Sequence, residues 1–188
     1  VAMCEGAYQH PLNYAKDRVQ GAPLGQVEAK TIIHHGEVRR MLMHMKAMTE
    51  AARAVNYNAA SSLDRGEKGD EAAHKRLEFL TPIAKAWATE VAQEVTGLGV
   101  QIHGGMGFVE ETGAAQFVRD ARIITIYEGT TGIQGLDLIG RKILRDGGAQ
   151  LMSVMAEVEA TVKQLQTESN SLPQLTAELT TALDQWQK

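Results

Sequence analysis

The sequence predicts an all-α protein, an antiparallel up-down helical bundle with extra helices at its C-terminal end. Three observations carry this. Apolar residues recur every three or four positions through several long segments, the period of a helix with one buried face. Ala, Leu, Met, Gln and Glu are plentiful, whereas prolines number only four and β-branched runs are few. The connections between periodic segments are short, which in an all-helical chain folds neighbours back on one another.

Met3, Ala7, Tyr8, Tyr14 and Ala15 place a first helix over about 1–20, with Pro11 as an internal strain that would kink it. Gly21, Pro23 and Gly25 end it and open a loop to about Lys30. The stripe Val38, Leu42, Met45, Met48, Ala52, Val55 and Ala59 predicts a long helix over 34–64, and the charged, glycine-punctuated run 65–70 predicts a turn. A helix begun at Glu71 is expected to stop and restart at Thr81-Pro82, read as an N-cap followed by Pro at the first helical position. Ile83, Trp87, Val91, Val95, Leu98 and Ile102 continue it as the cleanest stripe of the chain. Gly97 and Gly99 inside that stripe cost about 1 kcal/mol each relative to Ala, which close approach of another backbone or a ligand would explain. A shorter helix is predicted over 113–124, and another over 131–144 with Ile133, Leu136, Leu138, Ile139 and Ile143 inward. Asp146-Gly147-Gly148 stops it, and amphipathic segments follow over 149–167 and 172–187.

The chain has 188 residues, enough for one domain with a sizeable core; the division read here is a bundle over 1–146 and the start of a helical extension over 147–188. A net charge of −4 provides no electrostatic footprint for nucleic acid, and no apolar run approaches the ~20 residues of a membrane span. The single Cys4 forms no internal disulfide and no His/Cys spacing marks a metal site, so a reducing, cytoplasmic setting is expected and no metal is assigned. The methionines at 41, 43, 45 and 48 fit gap-filling core at helical spacing. The start, VAMCEGAYQH, reads as a cut end already inside a helix.

The chemistry concentrates in 101–134, QIHGGMGFVEETGAAQFVRDARIITIYEGTTGIQ. Glu128 stands just before a predicted helix, where the dipole favours a carboxylate by ~0.3–1 kcal/mol, and that alone accounts for most such acids. Thr125-Ile126-Tyr127 is apolar enough to bury the approach, and Gly129 allows a sharp turn with space beside the carboxylate. Partial burial would raise the pKa toward that of a base working near neutral pH. Gly104-Gly105-Met106-Gly107 lets backbone N–H groups approach a phosphate or ring edge, although it follows no strand and is not a dinucleotide fingerprint. Gln101, one turn earlier, presents an amide that both donates and accepts. Arg119-Asp120 and Arg122 read more simply as surface or packing ion pairs.

In their order, YAKDRVQG, VRRML, Q-x-x-GG-x-G-F, RDARI and YEGT-x-x-IQ resemble the C-terminal half of the acyl-CoA dehydrogenases, flavoenzymes that desaturate acyl-CoA thioesters between the α and β carbons. The similarity runs from about Ala2 to Arg145. Within the family, TIYEGTTGIQGLDLIGRK, an RVQG lacking an aromatic, and the added C-terminal helices are most similar to the branch acting on 3-methylmercaptopropionyl-CoA. The resemblance implies that Glu128 is the base taking the α-proton while the β-hydrogen leaves as hydride to FAD. It implies that the Glu128 backbone N–H holds the thioester carbonyl, that Tyr127 and Gly129 line the acyl end of the cavity with it, and that Thr130 contacts the flavin. Arg18 and Gln20 match FAD-contacting positions, and Gln101, Gly104 and Gly105 match contacts made to FAD across a subunit interface. An acyl-CoA substrate, an electron-transfer flavoprotein as acceptor and a homodimer or homotetramer are implied in the same way.

Two departures stand out. Gly21 occupies the place where family members commonly carry an aromatic, and Gly132 one where they often carry a polar residue. The family's N-terminal helical and middle β-domains have no counterpart here, so the chain reads as a fragment expected to be colourless and inactive alone, since half a flavin site does not offset the entropy of binding. The competing readings are a non-catalytic helical bundle for protein association, with Trp186 and the last helices as a partner surface, and a flavin monooxygenase-like relative that needs no acid at 128.

Overall fold

The computed structural model describes residues 1–167 and 173–186, the side chain of Trp186 excepted. The regular elements among the described residues are helices, with no strand; an isolated antiparallel bridge joins Val19 and Thr31. They fall into two compact units, Val1–Asp137 and Leu138–Lys188.

The first unit is built on three helices: α1 (Ala2–Asp17), α2 (Gly36–Gly66) and α3 (Glu71–His103), with α5 (Ala114–Ile124) laid against α1 and α3. Apolar stripes drive the packing. Cys4, Ala7, Met45, Ala52, Ala92, Val95 and Ala121 are buried at the seam, and the preponderance of alanine lets helix axes approach closely. The predicted α2 stripe faces inward throughout, from Val38 to Ala59. Buried hydroxyls on these helices are satisfied locally: Thr49 Oγ1 donates to Met45 O at 2.7 Å and Thr96 Oγ1 to Ala92 O at 2.7 Å. Arg53 on α2 reaches Glu5 on α1 at 2.5 Å and Glu50 at 2.7 Å, an ion-pair link across the first two helices.

Several boundaries differ from the sequence expectation for identifiable reasons. Helix α1 ends at Asp17, so Arg18 and Gln20 stand outside it, and a single 3-10 turn, Ile32–His34, precedes α2. No restart occurs at Thr81-Pro82. Helix α3 is continuous, with Pro82 buried inside it and Thr81 Oγ1 donating to Leu77 O at 2.7 Å rather than capping a new start. Burial of Phe79, Leu80, Ala84 and Ala88 on either side of the proline outweighs the roughly 3 kcal/mol that an internal proline costs. The true N-cap is Asp70, whose Oδ1 accepts from Ala73 N at 3.0 Å while Oδ2 accepts from Arg65 Nη2 at 2.7 Å.

Gly104 closes α3 at φ +60, as a glycine cluster should, but the cluster then opens a four-residue helix α4 (Gly105–Phe108) and a 3-10 turn, Glu110–Thr112, before α5. Of the two glycines inside α3, Gly99 is explained by close approach: a Cβ there would stand 3.1 Å from Ala7 O on α1. Gly97 meets nothing within 4 Å and instead lines an open hollow.

The single helix expected over 131–144 is α6 (Thr131–Leu136) running into a π-helical segment, Asp137–Ile143, whose wider turn shows in Leu144 N donating to Ile139 O at 2.9 Å. Ile133, Leu136 and Ile139, expected to face inward, are exposed. In the second unit Asp146 accepts from Gly148 N at 2.9 Å and Gln150 N at 3.1 Å at the head of α7 (Ala149–Thr167), which packs on α8 (Pro173–Trp186). Met155 and Val162 of α7 are buried. The surface proposed for Trp186 lies outside the described side chains. No helix among the described residues is long and apolar enough to cross a membrane.

Candidate active site

Helix α5 ends at Ile124 and the chain turns through 125–130 before α6 begins, a turn made by Ile126 N and Tyr127 N, which both donate to Ile123 O at 3.0 and 3.2 Å. Within it Glu128 takes φ 55, the sole positive φ at a non-glycine position among the described residues, and Gly129 follows at φ +88. Two successive left-handed residues reverse the chain sharply. The glycine accepts this readily, whereas a side-chain-bearing residue there costs ~1–2 kcal/mol.

Helix α3 supplies the framework that holds this conformation. Gln93 Nε2 donates to Ala121 O near the end of α5. Lys85 Nζ donates to Ile124 O at 3.1 Å and to Gly129 O at 2.6 Å, and Thr131 Oγ1 donates to Glu90 Oε1 at 2.5 Å. From the far side Gln134 Nε2 donates to Glu128 O at 3.2 Å. Thr125, 4% exposed, is the buried anchor of the turn and accepts from Arg122 Nη1 at 2.8 Å. Gln134 belongs to the YEGT-x-x-IQ motif, but none of Lys85, Glu90 and Gln93 was singled out by the sequence; their acceptors and donors are set by the helix packing, and a lysine on the half-buried face of α3 is ambiguous alone.

The expectation that Ile126 and Tyr127 bury the approach to Glu128 does not hold within this chain. Ile126 and Tyr127 are about half exposed, at 47% and 49%, and Glu128 is exposed. Gly129 does not leave empty space on its Cβ side either, because a Cβ there would stand 2.7 Å from Gln134 Nε2. Thr130 is the N-cap of α6 with its side chain exposed and making no cap bond.

The glycine corner lies at the C-terminal end of α3, whereas the Glu128 turn is held by its middle. Gln101 is exposed, and Gly104 and Gly105 have nothing within 4 Å of where a Cβ would be, so the backbone is open to a ligand or partner there. Gly107 is the tightly packed member: a Cβ would stand 2.3 Å from Val100 O. Beside the corner is a hollow of about 720 Å³ lined by Gly97, Val100, Phe108, Val109, Val118 and Arg119 among others. Lys85 and Glu90, which hold the turn, stand sixteen and eleven positions before Gln101, about 24 and 16 Å along the helix. The chain therefore does not bring Glu128 and the glycine corner into one pocket.

Arg18 and Gln20 form a third group. Ile32 N donates to Arg18 O at 2.8 Å and Gln20 N to Lys30 O at 3.1 Å, pairing the two arms of the loop, and His35 Nε2 bonds Gln20 O at 2.9 Å. The side chains remain exposed, with Arg18 Nη2 only loosely held by Gln20 Oε1 at 3.4 Å. Arg119, read as an ion-pair residue, approaches Glu110 at 3.8 Å and donates to Gln116 at 3.0 Å. His44 Nε2 meets Glu94 Oε1 at 2.7 Å.

Residues 1–144 match the family model described as acyl-CoA dehydrogenase, C-terminal domain. A 3-methylmercaptopropionyl-CoA dehydrogenase of Ruegeria pomeroyi is 52% identical over 171 residues, 88% of this chain and 29% of its own length. Butyryl-CoA dehydrogenase of Megasphaera elsdenii superposes with a TM-score of 0.61 at 35% identity, covering 73% of this chain and 32% of that one. The Caenorhabditis elegans ACDH-11 structure in complex with C11-CoA shares the fold, with a TM-score of 0.81 at 24% identity over 98% of this chain and 30% of that one. The chain thus spans less than a third of the length of these relatives. The family model over residues 1–144 and the 52% identity over most of the chain agree: the chain belongs to the acyl-CoA dehydrogenase family, in the region of its C-terminal helical domain.

Proposed function

We propose that this chain is the part of an FAD-dependent acyl-CoA dehydrogenase that carries the catalytic base, Glu128, and that the intact enzyme introduces an α,β double bond into an acyl-CoA thioester. The observation that carries the reading is the left-handed backbone at Glu128, held by hydrogen bonds to the carbonyls on either side of the turn. Strain at a side-chain-bearing residue persists only where the surroundings over-determine it, and such residues cluster at functional sites.

Glu128 removes the α-proton, which the thioester carbonyl acidifies by accepting the charge that develops as the C–H bond breaks. The Glu128 backbone N–H donates to that carbonyl, as an oxyanion-hole group does. Tyr127 and Gly129 line the acyl end of the cavity beside it. Exposed Tyr127 and Ile126 and the exposed carboxylate fit a site whose other wall comes from segments beyond this chain, and closing that wall would exclude water from the base.

The residues present also fit an anionic dinucleotide. Gly104 and Gly105 leave their backbone open, Gln101 offers an exposed amide, Arg18 offers an exposed guanidinium with Gln20 beside it, and the Thr130 hydroxyl makes no cap bond. These are the residues proposed to hold FAD, which when bound supplies the acceptor for the β-hydrogen. The roughly 16–24 Å along α3 between the anchors of the Glu128 turn, Glu90 and Lys85, and the glycine corner supports contacts to two different FAD molecules in a homodimer or homotetramer. The 52% identity to a 3-methylmercaptopropionyl-CoA dehydrogenase supports that thioester as substrate, and the family resemblance supports an electron-transfer flavoprotein as acceptor.

In the intact parent enzyme, Glu128→Gln should leave folding and flavin content unchanged and stop bleaching of the flavin by acyl-CoA. Undiminished bleaching would remove the assignment and favour a helical association domain of the same fold.

A further inference from the structure

Lys85 is a half-buried lysine whose ammonium meets two backbone carbonyls, Ile124 O at 3.1 Å and Gly129 O at 2.6 Å. The two acceptors stand on either side of the four residues 125–128. One side chain thus closes the neck of the turn, anchoring it to the rigid middle of α3. At 2.6 Å, the bond from Lys85 to Gly129 O is shorter than the backbone bonds of this turn at 3.0 and 3.2 Å and the Gln134 bond at 3.2 Å. A charged donor on a carbonyl is also stronger than a neutral one. The Ile124 carbonyl lies in the peptide that enters the turn and the Gly129 carbonyl in the Gly129–Thr130 peptide that leaves it, so holding both fixes the two ends of the short segment in which Glu128 takes φ 55.

We infer that Lys85 is the positioning residue of the Glu128 base: it acts on the reaction by holding the turn, without touching substrate. The inference rests on the reading of Glu128 as the base. With both carbonyls released, the strained residue relaxes toward an ordinary backbone conformation and the carboxylate samples directions away from the α-carbon.

The test uses the intact parent enzyme with Lys85→Met, which keeps the length and apolar stem of the side chain, together with Lys85→Arg and Glu128→Gln. The readouts are the single-turnover rate of flavin bleaching per bound flavin, the acyl-CoA dissociation constant, and hydrogen exchange of the amides of 126–131. Lys85→Met should slow bleaching by about 10- to 100-fold, the cost of a misplaced catalytic group, with the dissociation constant changed no more than about threefold. Amides of 126–131 should exchange faster while those in the middle of α3 do not. If Glu128→Gln bleaches like the parent, the base reading itself has failed. If Glu128→Gln is silent while Lys85→Met bleaches at the parental rate per bound flavin, the role of Lys85 is overturned and the base reading stands. Should Lys85→Met not fold, Lys85→Arg decides: bleaching rate and amide protection retained together or lost together support the role, and one changing without the other overturns it.

Discussion

An alanine Cβ at Gly107 would stand 2.3 Å from Val100 O and 2.9 Å from His103 Cβ, and neither atom is the loose end of a flexible side chain. Gly107→Ala must therefore push α4 off the end of α3 and should lower stability by about 3 kcal/mol, the upper range for overpacking, as read by denaturant unfolding. Gly105→Ala, with open space at its Cβ, should change stability far less. The sequence marks this cluster as special but does not say which glycine the packing needs, because that depends on α4 folding back onto Val100. Glu128 is a similar case. Its residue type and neighbours single it out, whereas its φ of 55 and the lysine that holds it come from packing between segments about 40 residues apart.

Helix α3 is the element on which both candidate sites are mounted, and its apolar stripe was fully legible from Ile83 to Ile102 because burial repeats at the helical period. Its continuity through Pro82 was not, since the packing that overrides the proline lies on other helices. At its C-terminal end His103 is buried, stacks on Tyr14 at 4.4 Å and His10 at 4.7 Å, and bonds Gly99 O at 2.7 Å. A carbonyl only accepts, so Nδ1 carries the proton and donates. Burial holds the His103 pKa below its ordinary value, the Gly99 bond opposes this, and nearby His10 adds to the lowering. The neutral ring is thus favoured in the fold. The unfolded chain takes up a proton near pH ~6.5 while the folded one does not, so stability is fully present above that value and falls as pH drops below it. Glu5, Glu37 and Asp70, whose pKa values are lowered by their hydrogen bonds, lose their contribution only at more acidic pH, below the ordinary carboxylate range. The midpoint of thermal unfolding should therefore fall between pH 7 and pH 5, and His103→Phe, which keeps a ring in the stack, should flatten that decline; an unchanged slope would assign it elsewhere.

At the scale of the whole molecule, the sequence periodicity identified the helices but could not say what covers each face. Ile133, Leu136 and Ile139 repeat at helical spacing, as a buried stripe would, yet they are exposed. Periodicity reports that a face is apolar and is blind to which segment buries it. In a chain spanning less than a third of its relatives' length, these residues fit surfaces covered in the intact enzyme. Arg18, Gln20, Gln101, Gly104, Gly105 and Thr130, proposed to hold FAD, lie on a chain that spans less than a third of the length of these relatives. Expressed alone the chain should therefore be colourless, and a stoichiometric yellow flavin complex, read by absorbance after gel filtration, would contradict this.

The central claim is that the Glu128 carboxylate takes a proton from the carbon next to a thioester carbonyl. Its most direct test is exchange of that hydrogen with solvent deuterium, followed by mass spectrometry of an acyl-CoA analogue with no transferable β-hydrogen, incubated with the intact enzyme in D2O. The parent should label the α-carbon and Glu128→Gln, with its full complement of flavin, should not; equal labelling by both would show that the proton is taken by another group.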